Sequence, residues 1–367
     1  MYLIDYSITE SHIQMDDSMS KHHLHFKTNE KFPLDASQGD ATGTEDSLRP
    51  SKTHSNPRGS SANDNATVFF IGTATTVIEW QGFRILTDPN FLHAGDHVHL
   101  GPGVTAVRKT NPAVDLHEMP PVHCVLLSHY HEDHFDRFVE NTLNRDMPII
   151  TTTHATQCLT SPDNKKRPFK QVTSLDFFER STLHISGPDE GRKRIIKVTG
   201  MPGKHVPHGP LSVANDFVKA VPPTNGWLLE FAFLGSSKKG SAEEGDDGDY
   251  DVGYRIYISG DTLFVDELKE MREKLKNERI DLMLVHLGGT MIPGPSAPLV
   301  MVTMDAKQGV QLQQLMNPDI TIPIHYDDYT VFLSPLSEFE EEVGQAGLED
   351  RVVYLDRGEA YSFAVKG

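Results

Sequence analysis

The sequence predicts an α/β fold in which helices cover the outer faces of sheets. Three observations predict it. A β-meander opens the ordered part of the chain at residues 67–87. Apolar strands and amphipathic helices alternate after it. Several of those strands deliver a histidine or aspartate just past their carboxyl ends. Two halves built this way can pack their apolar sheet faces on each other.

Residues 1–65 are polar, rich in Ser, Asp, Asn, Thr and Gly, and show no sustained period; residues 51–61 read as a linker. Such a segment buries too little apolar surface to offset its ordering entropy. The expectation is a disordered tail over 1–65 and one folded domain over 66–367. His22, His23 and His25 fall in that tail, as solvated residues or loose metal ligands. The meander follows, with strands at 67–72, 76–80 and 83–87 and a turn at Gln81-Gly82; Asp88-Pro89 stops it. Residues 91–121 form a long loop, and loops of that length are often binding loops. A buried strand at 122–127 leads to a helix from Phe135. Then come a strand at 147–151, a short helix at 153–159, β structure over 172–185 and strands at 194–199 and 226–233. Residues 235–251 are an acidic insert without the ordered ligand spacing of a calcium loop. The strand at 254–259 precedes an amphipathic helix at 264–276 carrying Phe264, Leu268, Met271 and Leu275 on one face. A strand at 281–286, a Gly- and Pro-rich loop at 288–298 and a helix at 303–316 capped by Thr303 follow. Strands at 320–324, 352–355 and 361–364, with a helix at 336–343, complete the domain.

The 367 residues are 37% hydrophobic and 23% charged, enough for one large domain or two ordinary ones. A formal charge of −18 argues against broad nucleic-acid binding, which needs Lys and Arg to neutralise phosphates. No apolar run reaches the roughly 18 residues that a membrane-spanning helix needs. Residues 1–10 lack the basic and apolar regions of a secretory signal. Cys124 and Cys158, with no Cys-x-x-Cys, fit a reducing compartment, so a cytoplasmic protein is expected.

The densest chemistry is Ser128-His129-Tyr130-His131-Glu132-Asp133-His134, placed where the strand at 122–127 ends and a helix begins. In open α/β sheets ligands bind at such carboxyl ends. His129 and His131 can converge on one ion. Asp133 and His134 turn with the helix and reach a different point, so two metals about 3.5–4 Å apart accommodate both pairs. Imidazole and carboxylate without thiolate suit Zn²⁺, and also Fe or Mn. Three further residues occupy strand ends: His205, Asp261 and His325. Singly, each has an ordinary reading as a loop histidine, a turn residue or helix cap, and a buried histidine bonded to a carbonyl. Together with the first cluster they suggest one shared rim. His208, in similar turn chemistry, competes with His205.

The run from Ser128 to His134 resembles the His-x-His-x-Asp-His signature of the metallo-β-lactamase superfamily, and residues 72–89 resemble its first strands. The resemblance covers residues 67–365. It is similar above all to the branch holding L-ascorbate-6-phosphate lactonase and N-acylphosphatidylethanolamine phospholipase D. It implies a four-layer αββα sandwich, the metallo-β-lactamase fold, with a dinuclear metal site at one edge and two Zn²⁺ per chain. In that scheme His129, His131 and His205 hold the first metal, Asp133, His134 and His325 the second, and Asp261 bridges. Asp88 orients the site from behind, while His286, Asp327 and Asp328 are candidates to fix ligand tautomers or line the pocket.

The function implied is a metal-dependent, zinc hydrolase. A metal-bridging hydroxide would cleave an ester, lactone or amide of a small molecule, with Asp133 or Asp261 as the catalytic proton acceptor. The alternative is a phosphodiesterase or phospholipase D-like hydrolase. An iron redox protein on this fold would carry a carboxylate at position 131 and a flavin domain, which this sequence does not have; a non-catalytic metal scaffold would not need the intact ligand set.

Overall fold

The computed structural model describes residues 22–32, 48–59, 63–101, 103–161, 167–187, 192–207, 209, 212, 215, 221–235 and 250–367. The first strands are β1 His22–Lys27, β2 Thr53–His54, β3 Ala66–Gly72, β4 Thr75–Trp80 and β5 Phe83–Thr87. A ribbon of β6 His97–His99 and β7 Thr105–Val107 precedes β8 Cys124–Leu126, α1 Arg137–Thr142, β9 Ile149–Thr151, α2 Thr153–Thr160 and β10 Val172–Ser174. Next are β11 Arg180–Ser186, β12 Arg194–Pro202, β13 Asn225–Leu234, β14 Tyr250–Ile258, α3 Asp266–Lys274 and β15 Leu282–His286. The hairpin β16 Met291–Gly294 and β17 Ala297–Met301 leads to α4 Ala306–Met316, β18 Ile320–Ile324, α5 Leu336–Ala346 and β19 Ala360–Phe363.

These strands build two large sheets, ordered β1-β11-β12-β13-β14-β15-β18 and β10-β9-β8-β5-β4-β3-β19-β2. Strand alternation decides what each face meets. Val68 and Phe70 join Trp80, Phe231 and Ile256 between the sheets, whereas Phe69 and Ile71 join Val139 of α1 and Leu159 of α2. Beyond the other sheet, Tyr257 and Met283 pack on Leu268, Val310 and Phe339 of α3, α4 and α5. Trp80 meets Phe231 edge-on across the central layer, with ring centroids 5.5 Å apart. The layers therefore run helix, sheet, sheet, helix, the αββα sandwich that the resemblance implied.

Strand direction positions the site. β12 and β14 are both antiparallel to β13, and β15 and β18 continue parallel to β14. Four strands of one sheet thus end on the same rim. In the facing sheet β5, β8 and β9 are mutually parallel and end there too.

Several expectations need correction. The tail is not unstructured throughout: β1 pairs in parallel with β11, Phe32 bridges to Val122, and β2 pairs with β19. Leu24 and Phe26 face the central core, so alternation within a polar stretch was enough to add an edge strand. Residues 1–21, 33–47 and 60–62 of the expected tail lie outside the described residues, as does 236–249 of the acidic insert. Phe177-Phe178 is a turn between β10 and β11, with Phe178 at φ 65°. The helix expected from Phe135 begins at Arg137, capped by the Asp136 carboxylate accepting from Val139 N. The helix expected from residue 303 begins at Ala306, and its cap is Asp305, not Thr303. Residues 352–355 make a single bridge, Thr321 to Val352, rather than a strand. The loops at 91–121 and 288–298 each contain antiparallel pairing. Cys124 and Cys158 are both free. Among the described residues no helix is long and apolar enough to cross a membrane.

One buried histidine outside the rim ties this fold to pH. His123 accepts from Arg84 N through Nδ1 (3.0 Å) and lies against Phe83. Burial lowers its pKa to about 4. An unfolded chain protonates the same ring near about 6.5. The unfolded state therefore takes up the proton first on acidification. The stability that His123 contributes is complete above about pH 6.5 and is lost down to about pH 4, at up to ~1.4 kcal/mol per pH unit. Urea midpoints of wild type and His123→Gln, compared from about pH 7.5 to about pH 4.5, should converge as pH falls. A constant gap would show that the folded ring titrates as it does in solvent.

Candidate metal centre

Each candidate ligand stands just past a strand. His129, His205 and Asp261 lie three residues beyond β8, β12 and β14; His325 directly follows β18 and Asp88 directly follows β5. His286 is the last residue of β15. The turns are tight. Asp88 (φ 37°) and His325 (φ 61°) occupy the left-handed region, which costs a non-glycine residue roughly 1–2 kcal/mol. The cluster at 129–134 forms a short loop closed by Phe135 N donating to His131 O (2.7 Å) and His134 N donating to the same carbonyl (3.1 Å).

Among the described residues, donor atoms converge in three groups, one of them Asp88, His134 and His286 behind the rim, and two that take in the candidate ligands. Of these two, one comprises His129, His131 and His205; the other comprises Asp133, His134, Asp261 and His325. Asp261 stands between them. Its Oδ2 is 3.7 Å from His205 Nε2 in the first group and 3.2 Å from His134 Nε2 in the second. Its Oδ1 is 3.5 Å from His325 Nδ1. Asp133 faces His131 Nδ1 at 3.0 Å, with His134 Nε2 and His325 Nε2 each at 3.8 Å.

For four of the five rings, outer partners fix which nitrogen points inward. His205 Nδ1 donates to Val302 O (2.5 Å) and His325 Nδ1 to Leu287 O (3.1 Å). His134 Nδ1 lies 3.3 Å from Asp88 Oδ2, and His129 Nδ1 is 2.9 Å from Ser128 Oγ. In turn Asp88 Oδ1 accepts from Ser128 N (2.6 Å). Asp261 is held from both sides, Oδ1 by His286 Nδ1 (2.9 Å) and Oδ2 by Thr303 Oγ1 (3.1 Å). This is the arrangement that sets ligand tautomer and orientation.

Burial and charge oppose each other here. Burial alone would raise both carboxyls. Instead His131 and His134 hold Asp133, and His325 and His134 hold Asp261, well below the ordinary carboxylate range. Burial lowers His129, with His134 and His205 adding to it, and also lowers His205 and His286. His134 and His325 move up against burial, because Asp261 and Asp133 face them. The cluster therefore calls for positive charge. A divalent cation would supply it.

The donor set fits metal. Among the described residues, the Nε2 atoms of His129, His131, His134, His205 and His325 are buried and have no hydrogen-bond partner. Orphaned buried imidazole nitrogens are costly unless something absent from protein atoms alone meets them. All are nitrogen or carboxylate donors, and no cysteine is among them.

Of the residues singled out in the sequence, His129, His131, Asp133, His134, His205, Asp261 and His325 are brought together, with Asp88 and His286 against them. Asp327 and Asp328 touch none of the ligand rings that they were expected to orient. Asp327 Oδ2 accepts from Leu336 N (3.2 Å) at the start of α5. Asp328 Oδ2 accepts from Thr73 N (2.8 Å), while its Oδ1 meets Thr110 and Arg357. The reason is backbone geometry: His325 and Asp327 both have positive φ, and the chain turns away from the rim. Asp328 still acts on the site at one remove, since Thr73 O accepts from His325 N (2.8 Å). His208 lies outside the described residues. Sequence reasoning missed the roles of Ser128 and Thr303. Ser128 could have been found from its place beside the first ligand; Thr303 carries no such signal, because hydroxyls before helices read as caps.

Comparisons with known proteins agree with the architecture. A UPF0173 metal-dependent hydrolase from Thermodesulfovibrio yellowstonii is 24% identical over 300 residues, taking in 77% of this chain and 91% of the relative. The isothiocyanate hydrolase from Delia radicum gut bacteria superposes with a TM-score of 0.60 at 16% identity, covering 81% of this chain and 99% of that one. Igni18, a metallo hydrolase from Ignicoccus hospitalis, superposes at 0.50 with 18% identity, covering 82% and 99%. Residues 67–325 match the family described as the beta-lactamase superfamily domain, and because that span is well over half of the chain, the protein belongs to the metallo-β-lactamase superfamily.

Proposed function

We propose that this protein is a dinuclear metal-dependent hydrolase that cleaves an ester, lactone or amide bond of a small molecule. The observation that carries the reading is the position of Asp261, whose carboxylate faces both groups of inward-pointing imidazole nitrogens. His129, His131 and His205 would hold one cation, Asp133, His134 and His325 the other, and Asp261 both. When bound, two such cations supply Lewis acidity and a water nucleophile at neutral pH; zinc fits the donors, as do iron and manganese. Asp261 already accepts from His286 and Thr303, so its part is to orient. Asp133 faces His131 and His325, and we assign to it the acceptance of a proton from the nucleophilic water. A cavity of about 430 Å³ opens beside His205, with Phe177, Val206, Val221 and Pro222 among its walls, a size and character suited to a small, largely apolar substrate. Metal-dependent hydrolases among the relatives support the reaction class.

The test combines metal analysis with a panel of lactones, amides, esters and bis(p-nitrophenyl) phosphate. Wild type should carry about two metals per chain and turn over a member of the carbonyl set. His131→Ala should lose one of the two and nearly all activity. Full turnover in that variant would refute the mechanism, and preference for the phosphodiester would move the reading to phosphodiester hydrolysis.

A further inference from the structure

We propose a second metal site, separate from the rim, on the outer face of the seven-stranded sheet at its open edge. It is built from His23, His25 and His184 and takes one late first-row cation such as Zn²⁺ or Cu²⁺.

The argument begins with alternation along β1. Leu24 and Phe26 turn inward to the central core, so His23 and His25 share the opposite face. Parallel register sets His25 beside His184 on β11, and places His23 opposite Thr182, two residues before it. Partner residues in a sheet project to the same side, so the three imidazoles share one face. The structure shows them in contact. His23 Nδ1 is 3.0 Å from His184 Nε2. The rings of His23 and His25 both stack on His184, with centroids 5.3 Å and 4.7 Å away.

Two imidazole nitrogens on one tetrahedral zinc, each at about 2.0–2.1 Å, lie roughly 3.3 Å apart. The His23–His184 pair is already near that spacing. His25 is exposed, so rotation of its side chain can bring in a third nitrogen, and solvent can complete the shell. Imidazole donors favour Zn²⁺, Cu²⁺ or Ni²⁺ over Mg²⁺ or Ca²⁺. The site is remote from the catalytic centre. Ile195, the partner of His184 on β12, is seven residues from the strand's end at Pro202, roughly 23 Å.

The consequence is mechanical. His23 and His25 lie 159 or more residues before His184 in the chain, and among the described residues β1 has a neighbouring strand on one side only. A cation shared between the two strands would fasten this edge strand to the sheet, and it would bind only while β1 is docked.

The experiment uses the full chain with its catalytic metals in place. Zn²⁺ is titrated into wild type, His25→Gln and His184→Gln, with His93→Gln as a control at an exposed histidine elsewhere. Wild type and the control should bind one more equivalent than His25→Gln and His184→Gln, with equal hydrolytic activity in His25→Gln and wild type. Hydrogen exchange gives a local readout. Where exchange in 22–27 requires undocking, Zn²⁺ at 100 times its dissociation constant should slow it about 100-fold in wild type and leave His25→Gln unchanged. With Cu²⁺, wild type should show hyperfine coupling to three nitrogens. Equal stoichiometry in wild type and His25→Gln, or exchange in 22–27 indifferent to Zn²⁺, would overturn the proposal and leave a hydrogen-bonded imidazole pair.

Discussion

Replacing Asp261 by Asn is expected to strip the centre of bound metal and to lower hydrolysis by about 10³-fold or more, equivalent to roughly 4 kcal/mol of transition-state stabilisation. The size of the effect follows from position. His131 belongs to one donor group, so its loss leaves the other intact. Asp261 faces both. An amide in its place keeps the shape but removes a full negative charge from a site with five imidazoles and one remaining carboxylate. It also forces a conflict at Oδ1 and Oδ2, both of which now accept, from His286 and Thr303. The amide nitrogen can accept from neither, so either His286 Nδ1–H is left facing another donor or the Thr303 hydroxyl must turn from donor to acceptor. Metal content by mass spectrometry and kcat/KM on the best substrate of the panel check the prediction together. Thr303→Val separates the two contributions: it removes one orienting bond, retains the charge, and should cost about 10–100-fold while keeping most of the metal. If Asp261→Asn retained two metals and near-normal turnover, the shared-carboxylate reading would be wrong.

What could be read in the sequence follows from how locally each feature is specified. Strands β3, β4, β5, β8, β15 and β18 are short apolar runs bounded by turn residues, so composition alone exposes them. A ligand-type residue directly after such a run, as at His325 or Asp88, is visible for the same reason. The alternation of those runs with helices predicted sheets covered by helices, and the resemblance to the family supplied the four-layer sandwich. Other features depend on partners far along the chain. β1 is polar on one face and pairs with β11 more than 150 residues away, so no local signal separates it from its surroundings. Thr303 looks like a helix cap until Asp261 is seen beside it, and Asp305 then takes the cap. Asp327 and Asp328 do not meet the ligand rings because sequence proximity to His325 does not survive two left-handed residues. Orientation of the ligands by backbone carbonyls at Val302 and Leu287 leaves no mark on residue type at all.

That last point identifies the second large effect, which concerns backbone rather than ligand. Gly260→Ala is expected to reduce activity about 10²-fold although position 260 offers no side chain to the centre. Gly260 has φ 62°, and a Cβ placed on it would sit 2.3 Å from Asn225 O. Restoring an ordinary contact requires a shift of about 1 Å. The backbone it would meet cannot yield independently: Asn225 N donates to Ser128 O (3.1 Å), and Ser128 carries the bonds to Asp88 and His129. Any movement that relieves the overlap therefore displaces Asp261 relative to His129 and His134, which are the distances that the two donor groups depend on. The strain of a left-handed alanine, roughly 1–2 kcal/mol, adds to the loss of stability without explaining the loss of activity. Gly82→Ala provides the control. Gly82 has φ 81° in the β4–β5 turn, and nothing lies within 4 Å of its Cβ position. It should show the same order of destabilisation by urea with normal metal content and turnover. Equal activity losses in the two variants, scaled to their stabilities, would mean that the close approach at Asn225 does not position Asp261.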